Sequence, residues 1–277
     1  MSRKILLTLA IGAALLLSQR VQASDVVYPG GGVLAQVVDG GGSSTTITLV
    51  NMDNLQAPYT LKFFGNDGNP LTVSTTAGPP ATQLTGTLNS GASVIIKTNG
   101  GGATTVEGWA LLTTPVTTDA QGYYHNTIAG TAVFSLVLPG NPVSDASVAL
   151  DTGFDSIFAL PFDHTTAVVG MALANADQNT TMTVNLKFYD LSGNVLFTDS
   201  SVQLPGNGHT SFLLTDKFPQ LAGQQGLVVI TGSTTDPSNT AGYLNVLGLR
   251  ANLPGTSLST VTPIVPCNYL TGYGCTN

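Results

Sequence analysis

The chain states one strand pattern twice. Ile47-Thr48-Leu49-Val50-Asn51-Met52-Asp53 is echoed by Met171-Ala172-Leu173-Ala174-Asn175-Ala176-Asp177. Tyr59-Thr60-Leu61-Lys62-Phe63-Phe64 is echoed by Val184-Asn185-Leu186-Lys187-Phe188-Tyr189, and each is followed by a Gly-Asn turn, Gly68-Asn69 and Gly193-Asn194. Leu88-Asn89-Ser90-Gly91-Ala92-Ser93 then matches Leu204-Pro205-Gly206-Asn207-Gly208-His209, and Gly108-Trp109-Ala110-Leu111-Leu112 matches Gly226-Leu227-Val228-Val229-Ile230. Four echoes in the same order imply duplication of one unit, each copy near the roughly 100 residues of a β-sandwich. Whatever topology the first copy adopts, the second must adopt too.

The local pattern is that of strands. Thr45–Val50, Tyr59–Phe64, Ser93–Lys97, Trp109–Leu112 and Thr131–Val137 combine β-branched and aromatic residues with partial period-two alternation. Turn residues separate them: Asn66-Asp67-Gly68-Asn69-Pro70, Asn89-Ser90-Gly91 and Asn99-Gly100-Gly101-Gly102. The nearest approach to a helix is a turn or two over Thr215–Ala222, containing Pro219. The expectation is an all-β chain of two tandem antiparallel β-sandwich, Ig-like domains. They occupy residues 24–145 and 146–262, with Pro139-Gly140-Asn141-Pro142 as the boundary loop and the strand-like Ala146–Leu150 assignable to either copy.

Composition adds an address. Arg3 and Lys4 precede an apolar run from Ile5 to Leu17, and Val21-Gln22-Ala23 places small residues at −3 and −1 of a cleavage site, so residues 1–23 read as a signal peptide. Removing them leaves five basic residues against 15 acidic ones, a net charge of −10. That balance argues against nucleic acid and against anionic membrane surfaces, which both need Lys and Arg. No later segment has the length and apolarity of a transmembrane helix, and 7% aromatics gives little material for the girdles of an outer-membrane barrel. The expectation is a secreted or cell-surface protein, with the periplasm also open. Cys267 and Cys275, in the tail 263–277, are then expected to pair as a disulfide, which export permits.

The run Ala35-Gln36-Val37-Val38-Asp39-Gly40-Gly41-Gly42, the Thr-rich strand after it and Leu49-Val50-Asn51 resemble a tandem repeat found in uncharacterised bacterial secreted proteins. So do Leu160-Pro161-Phe162-Asp163, Gly208-His209-Thr210-Ser211-Phe212 and Lys217-Phe218-Pro219. The resemblance covers roughly residues 33–253 and implies fold and location. That family has no established activity, so no catalytic residues carry over.

Candidate chemistry is sparse. Hydrolysis by a Ser-His-Asp set would draw on His209 or His164 with an aspartate, yet both follow turn residues and read as surface loop positions. No G-x-S-x-G elbow occurs. Asp151 and Asp155 flank a glycine and form one of many conceivable carboxylate pairs. Tyr123, Tyr124 and His125 form an aromatic cluster in a polar loop, a stacking surface for a glycan or protein partner. Tyr269 and Tyr273 in the tail are a second such place. Asn51, Asp53, Asn175 and Asp177 recur at equivalent places and offer oxygen ligands to calcium. The same residues are what an Asx-turn needs after a strand. Trp109, the one tryptophan, reads as the bulky core residue of the first sandwich, with Leu227 its counterpart.

The functional expectation is a non-enzymatic, exported β-sandwich protein with a structural, adhesive or assembly role. It would have no cofactor unless calcium binds, and its partner would be a protein or glycan at the cell surface, including a second copy of itself. An extracellular carbohydrate-binding module and a secreted hydrolase are the alternatives.

Overall fold

The computed structural model describes residues 31–118, 124–137, 139–152, 155–234, 243–252 and 257–265. Residues 1–23, Tyr123, Cys267, Cys275, Tyr269 and Tyr273 lie outside them. The first repeat runs β1 (Gly31–Asp39), β2 (Ser43–Asn51) and β3 (Ala57–Phe64), then the short β4 (Val73–Thr75) and β5 (Gly78–Ala81). It continues through β6 (Gln83–Leu88), β7 (Ser93–Lys97), β8 (Val106–Thr113), the small hairpin β9 (Val116–Thr118) and β10 (Tyr124–Asn126), β11 (Ile128–Leu136) and β12 (Ser144–Ala149). The second runs β13 (Ile157–Asp163), β14 (Ala167–Asn175), β15 (Met182–Asp190), β16 (Val195–Leu204) and β17 (His209–Leu213). A turn of helix α1 (Leu214–Lys217) and a 3₁₀ turn over Pro219–Leu221 then lead to β18 (Gln225–Thr234), β19 (Leu244–Asn252) and β20 (Ser257–Val261).

The strands form an all-β fold of antiparallel sheets, two four-stranded ones to each repeat, with the two-stranded β4-β5 and β9-β10 added in the first. In the first, β1-β8-β3-β6 makes a front sheet and β12-β11-β2-β7 a back sheet. In the second, β13-β18-β15-β16 and β20-β19-β14-β17 repeat both orders strand for strand. The echoes in the sequence therefore occupy the same places in the same sheets. One detail shows how closely. Gly108 and Gly226 are counterparts, and a Cβ on either would run into a backbone carbonyl, that of Phe64 or of its counterpart Tyr189. Both copies need glycine there because the neighbouring strand passes too close for a side chain.

β12 is hydrogen-bonded along β11, Thr131 opposite Ala149 through Leu136 opposite Ser144. The boundary between repeats therefore falls after Leu150 and not between residues 145 and 146. Ala146–Leu150 completes the back sheet of the first copy, because β11 would otherwise be an uncovered edge.

The two repeats pack sheet against sheet. Met171 and Leu173 of β14 point into the second sandwich, among Phe158, Leu186 and Phe188. Ala172, Ala174 and Ala176 point the other way and belong to the core cluster of the first repeat. Their small side chains let the back sheet of the second repeat lie close on the front sheet of the first. The layers stack as back, front, back, front. β1, between its own back sheet and the next repeat, is buried from Gly31 to Val37 without alternation, as a strand covered on both faces must be. Among the described residues no helix is long and apolar enough to cross a membrane.

Candidate functional site

The densest polar chemistry among the described residues lies where the repeats meet. The tip of the second repeat, built from residues 175–180 and 204–209, sits over the β3–β4 turn of the first. Asn207, in left-handed conformation at φ 56°, turns its carbonyl to accept a 2.7 Å bond from the Trp109 indole N–H. The Trp109 ring stacks on Phe64 at 4.8 Å, its cross-strand partner. Trp109 is fully buried, as expected of a core residue. It faces outward from the first sandwich, however, and the second repeat is what buries it.

His209 is the centre of the contact. Its Nδ1 lies 2.7 Å from Asn66 Oδ1 and its Nε2 lies 2.9 Å from Gln36 Oε1. Asn66 Nδ2 donates to Glu107 Oε1 at 3.1 Å, which fixes the amide with its oxygen toward the ring. Ser211 donates to the other Glu107 oxygen at 2.7 Å. A charged imidazole donates to both amide oxygens. A neutral one donates through Nδ1 and needs the Gln36 amide turned over to offer its NH₂. Burial pushes the His209 pKa down to about 4, against the opposing pull of Glu107 and the Ala35 carbonyl. The turn beneath fits equally closely: Gly68 has φ 80°, and a Cβ there would strike the Gly206 carbonyl.

The reading of His209 and His164 as surface loop residues is therefore corrected, since both are buried. His164 stacks on Phe162 at 5.4 Å, and both ring nitrogens lack a hydrogen-bond partner. Burial lowers its pKa as well. The burial of His209 was not legible locally, because the groups that cover it come from the other repeat.

The four candidate calcium ligands adopt the geometry of the turn. Asn51 Oδ1 accepts from Asp53 N–H at 2.9 Å, and Asn175 Oδ1 accepts from Asp177 N–H at 3.0 Å. Asn51 Nδ2 donates to the carbonyls of Leu55 and Leu88. Asn175 Nδ2 donates to those of Thr180, Leu204 and Pro205. Each asparagine thus ties the tip of its sandwich together from inside, while Asp177 accepts from Asn179 N–H, Thr180 N–H and the Thr180 hydroxyl. Among the described residues no group of three or more His, Cys, Asp or Glu side chains is placed to hold a metal ion. Of the aromatic cluster, Tyr124 and His125 lie on β10, opposite Thr118 and Thr117.

Two cavities adjoin the junction. One of about 300 Å³ is walled by Gln36, Gly170, Ser211, Phe212 and Leu249. The other, about 420 Å³, lies beside the linker between repeats and includes both Asp151 and Asp155 in its wall. No family model matches the chain, and no curated protein matches it.

Proposed function

We propose that this is an exported, non-enzymatic protein that works outside the cytoplasm as a structural, adhesive or assembly component. The observation that carries this reading is the outer face of the first back sheet. Alternate burial along β2 turns Ser44, Thr46, Thr48 and Val50 outward. They pair across to Ser135, Val133, Thr131 and Ala129 of β11. A broad sheet face carrying hydroxyl and small apolar groups, with no charge on its two central strands, offers little long-range repulsion to an approaching surface. The histidines support the same reading, since His209 is spent on joining the repeats and His164 on packing. The N-terminal pattern supplies the route of export.

The test is fractionation of the native cells with mass spectrometry of the mature N-terminus, together with ester and glycoside substrates offered to the purified protein. Recovery outside the cytoplasm, starting at Ser24 and without turnover, is expected. A cytoplasmic protein retaining residues 1–23, or turnover lost in His209→Ala, overturns the reading. Glycan binding is the second reading. It is favoured by the place of the β9–β10 hairpin beside the tip of the first repeat, where Met52 N–H donates to the Thr127 carbonyl at 2.8 Å. A glycan array probed with wild type and Tyr124→Ala decides it.

A further inference from the structure

Among the described residues, the duplication leaves each half of the junction present a second time and uncovered. Inside the chain, the front sheet of the first repeat receives the back sheet and tip of the second. The second repeat has the same front sheet, and the first has the same back sheet and tip, both at the outside of the stack. We propose that the front face of the second repeat receives the back face and tip of the first repeat of another copy, so that copies join head to tail. The proposal rests on the assembly reading above and names its partner.

The side chains at the equivalent positions carry the argument. Among the described residues the most exposed large apolar side chains are Leu191 (77%), Met52 (70%), Leu55 (67%) and Ile95 (64%). Three of them stand where the counterpart residue is used in the junction. Leu191 replaces Asn66, which bonds His209. Ile95 replaces Ser211, which bonds Glu107. Met52 replaces Ala176, which is buried in the core of the neighbouring repeat. Leu55 lies in the same tip as Met52. Where the inner junction pairs polar groups with each other, each outer place sets an exposed apolar side chain of one face against a neutral polar one of the other. Glu107 is matched by Gln225, Trp109 by Leu227, and His209 by Ser93. The change removes a carboxylate and an imidazole, which suits a contact that must form after the chain has folded, because neutral groups leave no buried charge to satisfy. Copying the inner junction places Leu191 of one copy on Ser93 of the next, and Gln225 on Ile95.

The two faces differ, so the contact is heterologous. Such contacts close into rings or grow as open filaments. The stack of four layers adds another four with each copy.

The experiment is light scattering of the full mature chain across concentration, for the wild type, Ile95→Asp, Leu191→Asp and an equimolar mixture of the two variants. Both substitutions are at exposed positions, and circular dichroism with thermal melting checks that each variant folds as the wild type does. The wild type is expected to gain mass with concentration beyond a dimer. Each variant alone is expected to lose that growth, because every joint would contain one aspartate. The mixture is expected to give a dimer, since each variant retains the face that the other has lost. Wild-type growth that stops at a dimer, a monomer at every concentration, or growth untouched by both substitutions overturns the proposal. A monomer recovered outside the cell overturns self-assembly and leaves the export reading intact. Head-to-tail growth of a protein found in the cytoplasm does the reverse.

Discussion

Acidification should loosen the junction through His209, in a pH window that belongs mainly to that residue. The ordinary imidazole pKa is 6.5, and burial holds His209 at about 4. Between these values the unfolded chain binds a proton that the folded chain refuses, so stability rises with pH across the interval and falls on acidification. Above pH 6.5 the contribution is constant. By pH 4 the loss amounts to about 3 kcal/mol, the free-energy equivalent of the pKa difference, a sizeable part of the 5–15 kcal/mol typical of a domain. The carboxylates act elsewhere. Hydrogen bonds from the Asn69, Thr165 and Asn194 side chains hold Asp67, Asp163 and Asp190 below 3.8. Their contribution is present above that range and is lost only as pH falls through it. His164 shifts in the same direction as His209, so a variant is needed. Urea unfolding of wild type and His209→Gln, from about pH 7.5 to about pH 4.5, should give a fall in the wild type that the glutamine variant largely lacks. Side-chain NMR should show His209 titrating well below 6.5. Equal falls in both proteins, or a His209 value at or above 6.5, would refute the reasoning. The acceptors Gln36, Asn66 and Glu107 would then outweigh burial, and the folded ring would be charged.

Trp109→Phe keeps the stacking on Phe64 but leaves the Asn207 carbonyl without its donor, at a cost of about 1–3 kcal/mol by urea unfolding. As the sole tryptophan, Trp109 should emit as a buried indole, and its emission should shift to the red when the repeats separate. Asn175→Ala, which strands three carbonyls inside the second tip, should cost about 2–4 kcal/mol. Calorimetric titration of the wild type with calcium should give no heat if Asn51 and Asn175 serve the turns alone. Gly68→Ala meets both a positive φ and the Gly206 carbonyl, so the melting temperature should fall and the Trp109 signal should report an opened junction. An unchanged melt would mean that the turn does not bear on the second repeat.

Local signals carried most of the architecture. Alternation in Thr45–Val50 and Tyr59–Phe64, turn residues at Asn66–Pro70 and the ordered echoes depend on neighbours in the chain, so the strands and their duplication could be read directly. The short helical stretch near Pro219 was legible for the same reason, with proline at the first position of the 3₁₀ turn, where it gives up no bond. The use of Asn51 and Asn175 was legible only as a choice between turn and metal. Side-chain direction bears on that choice, and it depends on carbonyls from strands far along the chain. The boundary after Leu150 depended on β12 pairing with β11, which no composition change at residue 146 marks. His209, Trp109 and Gln36 depended wholly on tertiary structure. A strand pattern tells which residues share a face, and it cannot tell that a second sandwich will cover the outer one. The unbroken burial of β1 was the one trace of that cover in the sequence, written as the near-continuous apolar run Val33–Val38. Only the docking of the repeats turned an exposed-looking histidine into the buried centre of the molecule, because burial there is conferred by residues more than half the chain away.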